Sequence, residues 1–171
     1  MPSEIRLTPA SYIVLGLLDA AGEATPYELK GMIANGLGEF WSVQHAQIYS
    51  EPERLAQAGF VSERREEAGR RRRHYSITGA GKEALEGWLE EPTTELTELR
   101  DLGLLKLFFG ADPSALAVTQ VPVHQAKLVE HERMLREIGP QAPLSIRLAL
   151  EAGIGHEREW VRFWSHAADA Q

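Results

Sequence analysis

The sequence predicts a mainly α-helical chain in two parts, and three observations predict it. Apolar residues recur at helical spacing behind cap signals from Thr8 to Ala58. Two short β-prone segments then flank Glu67-Ala68-Gly69. Beyond Pro92 the pattern is helical again, and from Ala117 it settles into alternating steps of four and three. The expected domains are residues 1–91, with three helices, a hairpin and a linking helix, and residues 92–171, all α.

Thr8 or Ser11 caps a first helix with Ile13, Val14, Leu17 and Leu18 on one stripe, stopped at Gly22. Thr25, Pro26 and Glu28 form a capping box with proline at the first helical position, where its missing donor costs nothing. Tyr27, Leu29, Met32 and Ile33 face inward, and Gly36 to Gly38 end that helix. A third helix is expected from near Ser42 to Ala58, with Gly59 as its stop. Pro52 falls inside it and should kink or break it by clashing with the Ile48 carbonyl. Phe60–Arg64 and Arg73–Ile77 make the hairpin; Thr78 caps a fourth helix with Leu85, Trp88 and Leu89 inward, closed by Pro92. This order is the winged helix-turn-helix arrangement, with the third helix as the reading helix and the hairpin as the wing.

With 43% hydrophobic and 25% charged residues the chain is an ordinary globular protein, and without cysteine it has no disulfides, thiolate metal sites or cysteine nucleophile. No apolar run approaches a bilayer span and no signal peptide is visible, so a cytoplasmic protein is expected. The formal charge of −7 argues at first against nucleic acid. Both halves are acidic, yet residues 64–73 (RREEAGRRRR) hold six arginines and two glutamates. A charge run is usually a solvated face. At a hairpin tip beside a reading helix, Arg70, Arg71, Arg72 and Arg73 favour phosphate or minor-groove contact instead.

The segments Tyr12–Leu18 (YIVLGLL), Pro26–Leu29 (PYEL), Gln47-Ile48-Tyr49, Arg54-Leu55, Ala58–Val61 and Tyr75–Gly81 (YSITGAG) resemble PadR-family transcriptional regulators over roughly residues 8–91. The phrase Y-S-I-T-x-x-G is shared with other winged-helix regulators, whereas the Ile-Tyr of the reading helix is more particular. Pro26 departs from the glycine the family often has there, and Pro52 is a second departure. The second half resembles the Vir-type C-terminal domain of part of the family. The resemblance implies a homodimeric DNA-binding repressor, dimerised through its C-terminal helices, with no cofactor and a promoter operator of pseudo-palindromic form as partner.

The start of a reading helix enters the major groove. Ser42, Gln44, His45 and Gln47 are the candidates there, the two glutamines being suited to bidentate contact with adenine. Each is otherwise a solvated polar residue. Tyr49 suits a phosphate or the core; Tyr27 and Lys30 suit phosphates at the start of the second helix, Tyr27 alternatively packing on the first. Arg54 and Arg64 are expected to pair with Glu51 and Glu66, and Glu51 and Glu53 to repel phosphates.

In the second half, Glu95–Gly110 reads as one helix and Asp112-Pro113 as a fresh start. The seam Ala117, Val121, His124, Leu128, His131, Leu135, Ile138 reads as a partner-helix face, weakened by Pro122 and closed by Gly139-Pro140. A last helix, Leu144–Ala168, carries Leu150, Ile154, Val161 and Trp164. Two helices hide little apolar surface alone, so Val121, Leu128, His131, Leu135, Ile138, Val161 and Trp164 are expected at a dimer interface. His124 and His131 read as edge histidines rather than metal ligands, and no metal site is expected. Trp88, Phe108, Phe109, Trp160 and Trp164 are candidates for an effector pocket between the domains, since the family accepts aromatic or hydrophobic ligands; plain core is their other reading. No phosphate loop, nucleophile elbow or metalloprotease motif appears, so an enzyme is not expected. A winged helix that binds only protein is the alternative, and it has little use for four arginines.

Overall fold

A computed structural model describes residues 5–34, 37–39, 41–67 and 71–169. The chain folds as two compact units, residues 1–95 and 96–171. In the first, α1 (Pro9–Ala21), α2 (Pro26–Ala34) and α3 (His45–Gln57) precede the hairpin β1 (Val61–Arg65) and β2 (Arg73–Ile77), and α4 (Gly79–Glu90) follows it. Thr8 is the N-cap of α1, and its backbone N–H donates to Ser11 Oγ at 2.8 Å. The Thr25 amide and hydroxyl both donate to Glu28 Oε2, at 2.7 and 2.8 Å, so α2 starts on the capping box its sequence spells.

Helix α3 ends in a Schellman motif: Phe60 N–H donates to Leu55 O, Gly59 N–H to Ala56 O, and Gly59 takes φ +86°. That turn feeds directly into β1, which pairs antiparallel with β2 from Val61↔Ile77 to Arg65↔Arg73. Ala24 adds a bridge to Tyr75, with both backbone hydrogen bonds formed at 3.0 and 2.9 Å, so the α1–α2 connection is stitched to the hairpin. Val14, Leu15, Leu18, Leu29, Ile33, Ile48, Leu55, Val61, Tyr75 and Leu85 close one core among these elements. Pro52 does not break α3. The helix runs through it with the pyrrolidine ring fully buried, its neighbours anchored on both sides as described below.

The second unit holds α5 (Leu102–Phe108), α6 (Pro113–Ile138) and α7 (Leu144–Asp169). The long helix expected over residues 95–110 is reduced to α5. Asp101 caps it by accepting from Leu104 N–H at 2.8 Å, and Leu96 and Leu99 before it are 94% and 56% exposed, so no burial supports an earlier turn. Asp112 and Pro113 start α6 as N-cap and first helical residue. Helices α6 and α7 form an antiparallel pair, since Ser114 Oγ at the start of one donates to Ala168 O at the end of the other, and His124 and Glu157 meet midway. No helix of the described residues is long and apolar enough to cross a membrane.

Candidate nucleic-acid interface

Helix α3 begins at His45, three residues later than its spacing suggested. Ser42 and Gln44 lie in an irregular lead-in, with Gln44 as N-cap at φ −63°, ψ 132°, and Val43 packed against the core holds that lead-in down. Ile48, Glu51, Pro52 and Leu55 form the inward stripe. His45, Gln47, Tyr49 and Ser50 therefore stand on the outward face, together with Ser42 and Gln44 just before it. Tyr49 is 41% exposed, with its ring 5.0 Å from that of His45, so the core reading of this tyrosine does not apply. Ser42 and Gln47 line a cleft of about 240 Å³ beside Thr8, Pro9 and Trp41. On α2, Tyr27 is 76% exposed rather than buried against the core, and Lys30 is exposed as well.

Glu51 is the carboxylate on the inward stripe. Ser11 Oγ donates to its Oε1 at 2.6 Å, while Arg54 grips both oxygens, Nη2 on Oε1 at 2.6 Å and Nε on Oε2 at 3.0 Å. Arg54 also donates to Ser11 Oγ and to the Arg6 carbonyl, at 2.9 and 3.2 Å. Burial on its own would raise the Glu51 carboxyl; the Arg54 and Ser11 hydrogen bonds and the guanidinium charge outweigh it and hold the group below the ordinary glutamate range. The residue expected to repel phosphates is thus neutralised inside the fold. Sequence reading foresaw the Arg54 pair but missed Ser11, although a glutamate on an apolar stripe was the available signal.

The wing divides its arginines into two kinds. Arg64 pairs with Glu23 on the α1–α2 connection at 2.7 Å, not with Glu66, because cross-strand pairing aims it at that connection. Arg65 pairs with Glu63. Arg73 reaches Glu53 on α3 at 3.0 Å and Glu63 at 3.8 Å. Glu66 is held by His74 Nε2 at 3.1 Å and by the Arg72 amide at 3.3 Å, and these hydrogen bonds lower its carboxyl, the histidine's first. No carboxylate among the described residues pairs with the Arg71 or Arg72 side chain, and both residues are exposed. Arg71 sits at φ +47°, the left-handed turn conformation, which marks the tip. Arg70 lies outside the described residues. Beyond their hydrogen bonds, from His74 and from the Thr25 amide first, the Glu66 and Glu28 carboxyls are also lowered by the Arg72 charge, which contacts neither. Arg71 and Arg72 belong to the same unit as the outward face of α3, linked to it through Arg73 and Glu53.

In the second unit the α6 seam is used inside the chain. Ala117 and His131 are buried, His124 Nδ1 lies 2.6 Å from Glu157 Oε2 on α7, and the His131 ring packs on Gly153. His131 and Trp164, expected at a dimer interface, are instead buried within one chain at 5% and 0% exposure. The cause is that the four-three pattern found its partner in α7. Val121, Leu128, Leu135 and Val161 are half-buried, and Ile138 is 37% exposed. Of the effector candidates, Trp164 packs against Gly103 of α5 and is closed to solvent. Trp160 stacks on His124 at 5.7 Å; Phe108 and Phe109 meet edge to face and are 83% and 78% exposed; Trp88 stacks flat on Tyr12 at 4.5 Å in the first unit. Among the described residues no group of three or more metal-ligating side chains occurs.

Residues 14–87 match the model of the PadR-like family of transcriptional regulators. The negative transcriptional regulator PadR of Bacillus subtilis is 31% identical over 144 residues, covering 77% of this chain and 78% of the relative. The crystal structure of Bacillus subtilis PadR in complex with operator DNA aligns with TM-score 0.83 at 25% identity, over 96% of this chain and 99% of that one. The structure of the same regulator with p-coumaric acid gives 0.77 at 26% identity, over 93% and 96%. With its hairpin behind three helices, its exposed α3 face and a similarity spanning most of both chains, this protein belongs to the PadR-like family of transcriptional regulators.

Proposed function

We propose that the protein is a cytoplasmic homodimeric repressor that reads a pseudo-palindromic promoter operator and is released by a small aromatic or hydrophobic effector. The observation that carries this is the pairing of an exposed α3 face with two exposed wing arginines, Arg71 and Arg72, that form no direct ion pair with a described carboxylate. In this reading Gln44, His45, Gln47 and Ser42 read base edges, and Tyr27, Lys30, Tyr49, Arg71 and Arg72 hold phosphates; the exposure of all nine supports it. Arg73 contributes by fixing the wing to α3, and Arg70 extends the basic tip in the sequence. The relative bound to operator DNA supports the DNA reading, and the relative bound to p-coumaric acid supports an aromatic effector. Within the second unit Phe108, Phe109 and Trp160 keep exposed or half-exposed rings for such a ligand, whereas Trp164 serves the core and Trp88 stacks on Tyr12 in the first unit.

A salt-titrated gel shift on DNA from upstream of the protein's own gene tests the reading. Wild type should bind with a linear dependence of log K on log salt. Arg71→Ala/Arg72→Ala should bind more weakly to every sequence, with the slope reduced by up to about 3.6 for the dimer, since each of the four phosphate contacts contributes about 0.9. Adding p-coumaric acid should release the bound DNA. A double variant with an unchanged slope refutes the wing assignment, and wild type that prefers no DNA at low salt refutes the function.

A further inference from the structure

We infer that Glu51 is a positioning residue for DNA reading: with Ser11 and Arg54 it sets the rotation of α3 about its own axis, and so decides whether Gln44, His45 and Gln47 meet base edges. The inference rests on the DNA-binding function proposed above and assigns the residue that aims it.

Stability alone does not call for a carboxylate at this position. Glu51 stands between Ile48 and Leu55 on a stripe that packs against α1, and an apolar side chain there would bury without desolvating a charge. What an apolar contact lacks is direction. Leucine against leucine tolerates a roll of the helix, whereas hydrogen bonds weaken steeply away from their preferred angle. Glu51 has three of them, from donors on two elements: Ser11 on α1, and Arg54 one turn further along α3. Arg54 in turn holds Ser11 Oγ and the Arg6 carbonyl, so the fork is braced against the chain that enters α1 and does not swing freely.

The lever arm makes this matter at the DNA. Side-chain ends stand about 5–6 Å from a helix axis, so a roll of about 20° carries them about 2 Å. A base-edge hydrogen bond is lost over that distance. Gln47 lies one turn before Glu51 on the same helix, His45 is the first residue of that helix two positions earlier, and Gln44 is its N-cap. They ride on whatever rotation Glu51 fixes. Phosphate contacts from the wing are less demanding, because Arg71 and Arg72 sit on a hairpin with its own backbone register and bind charge rather than pattern.

The test uses the full chain and a duplex that wild type selects from a random pool, set against a shuffled duplex of the same composition. Glu51→Gln keeps the volume but turns an amide NH₂ toward Arg54, and Ser11→Ala removes the α1 donor, with the bonds it accepts from Arg54 and the Thr8 amide, while leaving the Glu51–Arg54 pair in place. Expected for Glu51→Gln is a fall of about tenfold or more in the ratio of selected to shuffled affinity, the worth of one bidentate base contact, with the salt slope on shuffled DNA unchanged. Ser11→Ala should move the same ratio in the same direction by less, with helical content and cooperative melting retained. If Glu51→Gln does not fold, Ser11→Ala alone decides. Both affinities falling by one common factor, so that the ratio stands, would mean the network only holds the fold together and would overturn the inference. Wild type selecting no sequence at all would overturn the DNA reading and this inference with it.

Discussion

A methyl group at position 81 would overlap the Phe60 carbonyl oxygen and crowd the side chains of Ile77 and Leu15. Backbone and core therefore approach α4 so closely that glycine is the residue that fits, and this gives the Y-S-I-T-x-x-G phrase its physical meaning. Thr78 caps the helix by accepting from Gly81 N–H at 3.2 Å, and its hydroxyl reaches the Phe60 carbonyl at 2.9 Å. Gly81→Ala would help helix propensity by up to about 1 kcal/mol, yet the overlap should cost about 1–3 kcal/mol, with net destabilisation as the expected outcome. Urea denaturation measures it, and a variant as stable as wild type would show that α4 can shift away freely. The sequence displayed that glycine without its reason, because the neighbour that excludes a side chain is a backbone atom twenty-one positions earlier. Glu51 is the converse case. Its charge suggested repulsion of phosphate, but its place on the inward stripe already said that it would be buried and need partners.

At the scale of elements, the acidic residues either side of Pro52 point in opposite directions. Glu51 ties α3 to α1, and Glu53 ties it to β2 through Arg73. The second pair is partly exposed and adds little stability; it ties the wing to α3 and keeps one wing arginine occupied. Glu53→Gln should leave Arg73 only the longer Glu63 contact and so release it toward phosphate, raising affinity for random-sequence DNA and steepening the salt slope by up to about 0.9 per protomer. Filter binding over a salt series reads this directly; a slope identical to wild type would show that Arg73 already reaches DNA or never does. The elements themselves were readable wherever a cap and a burial pattern agreed, as at Thr25-Pro26, Ala58-Gly59 and Asp112-Pro113. They were misread where periodicity stood alone. Leu99 had helical spacing but is 56% exposed and lies before α5, and the α6 seam showed an apolar face without naming what would cover it. Side-chain pairings across elements, such as Arg64 with Glu23, depend on strand register and could not be read from spacing.

For the whole molecule, a charge of −7 means that non-specific attraction to DNA is weak, and two wings acting together matter more than either. One winged helix reads one half-site, so dimerisation multiplies both charge and pattern recognition. With Ala117, His131 and Trp164 buried inside the chain and Val121, Leu128 and Leu135 only half-exposed, the more exposed apolar residues of α6 offer a partner the most surface. Val118 and Val129 are 76% and 61% exposed, and eleven residues apart on α6 they share a face. Each valine buried at an interface contributes about 1.5–3 kcal/mol, and two-fold symmetry counts every change twice. Val118→Asn/Val129→Asn leaves net charge untouched, so a change in DNA binding cannot come from added repulsion. Sedimentation should show wild type as a dimer and this variant shifted toward monomer at micromolar concentration, with operator binding then dependent on the square of protein concentration. Trp fluorescence should stay that of a folded chain, because Trp164 and the α6–α7 contacts lie away from these exposed positions. A variant that sediments as a dimer and binds operator like wild type would move the interface elsewhere, to Leu144, Ile146 and Leu148 at the start of α7, which are 60%, 50% and 52% exposed.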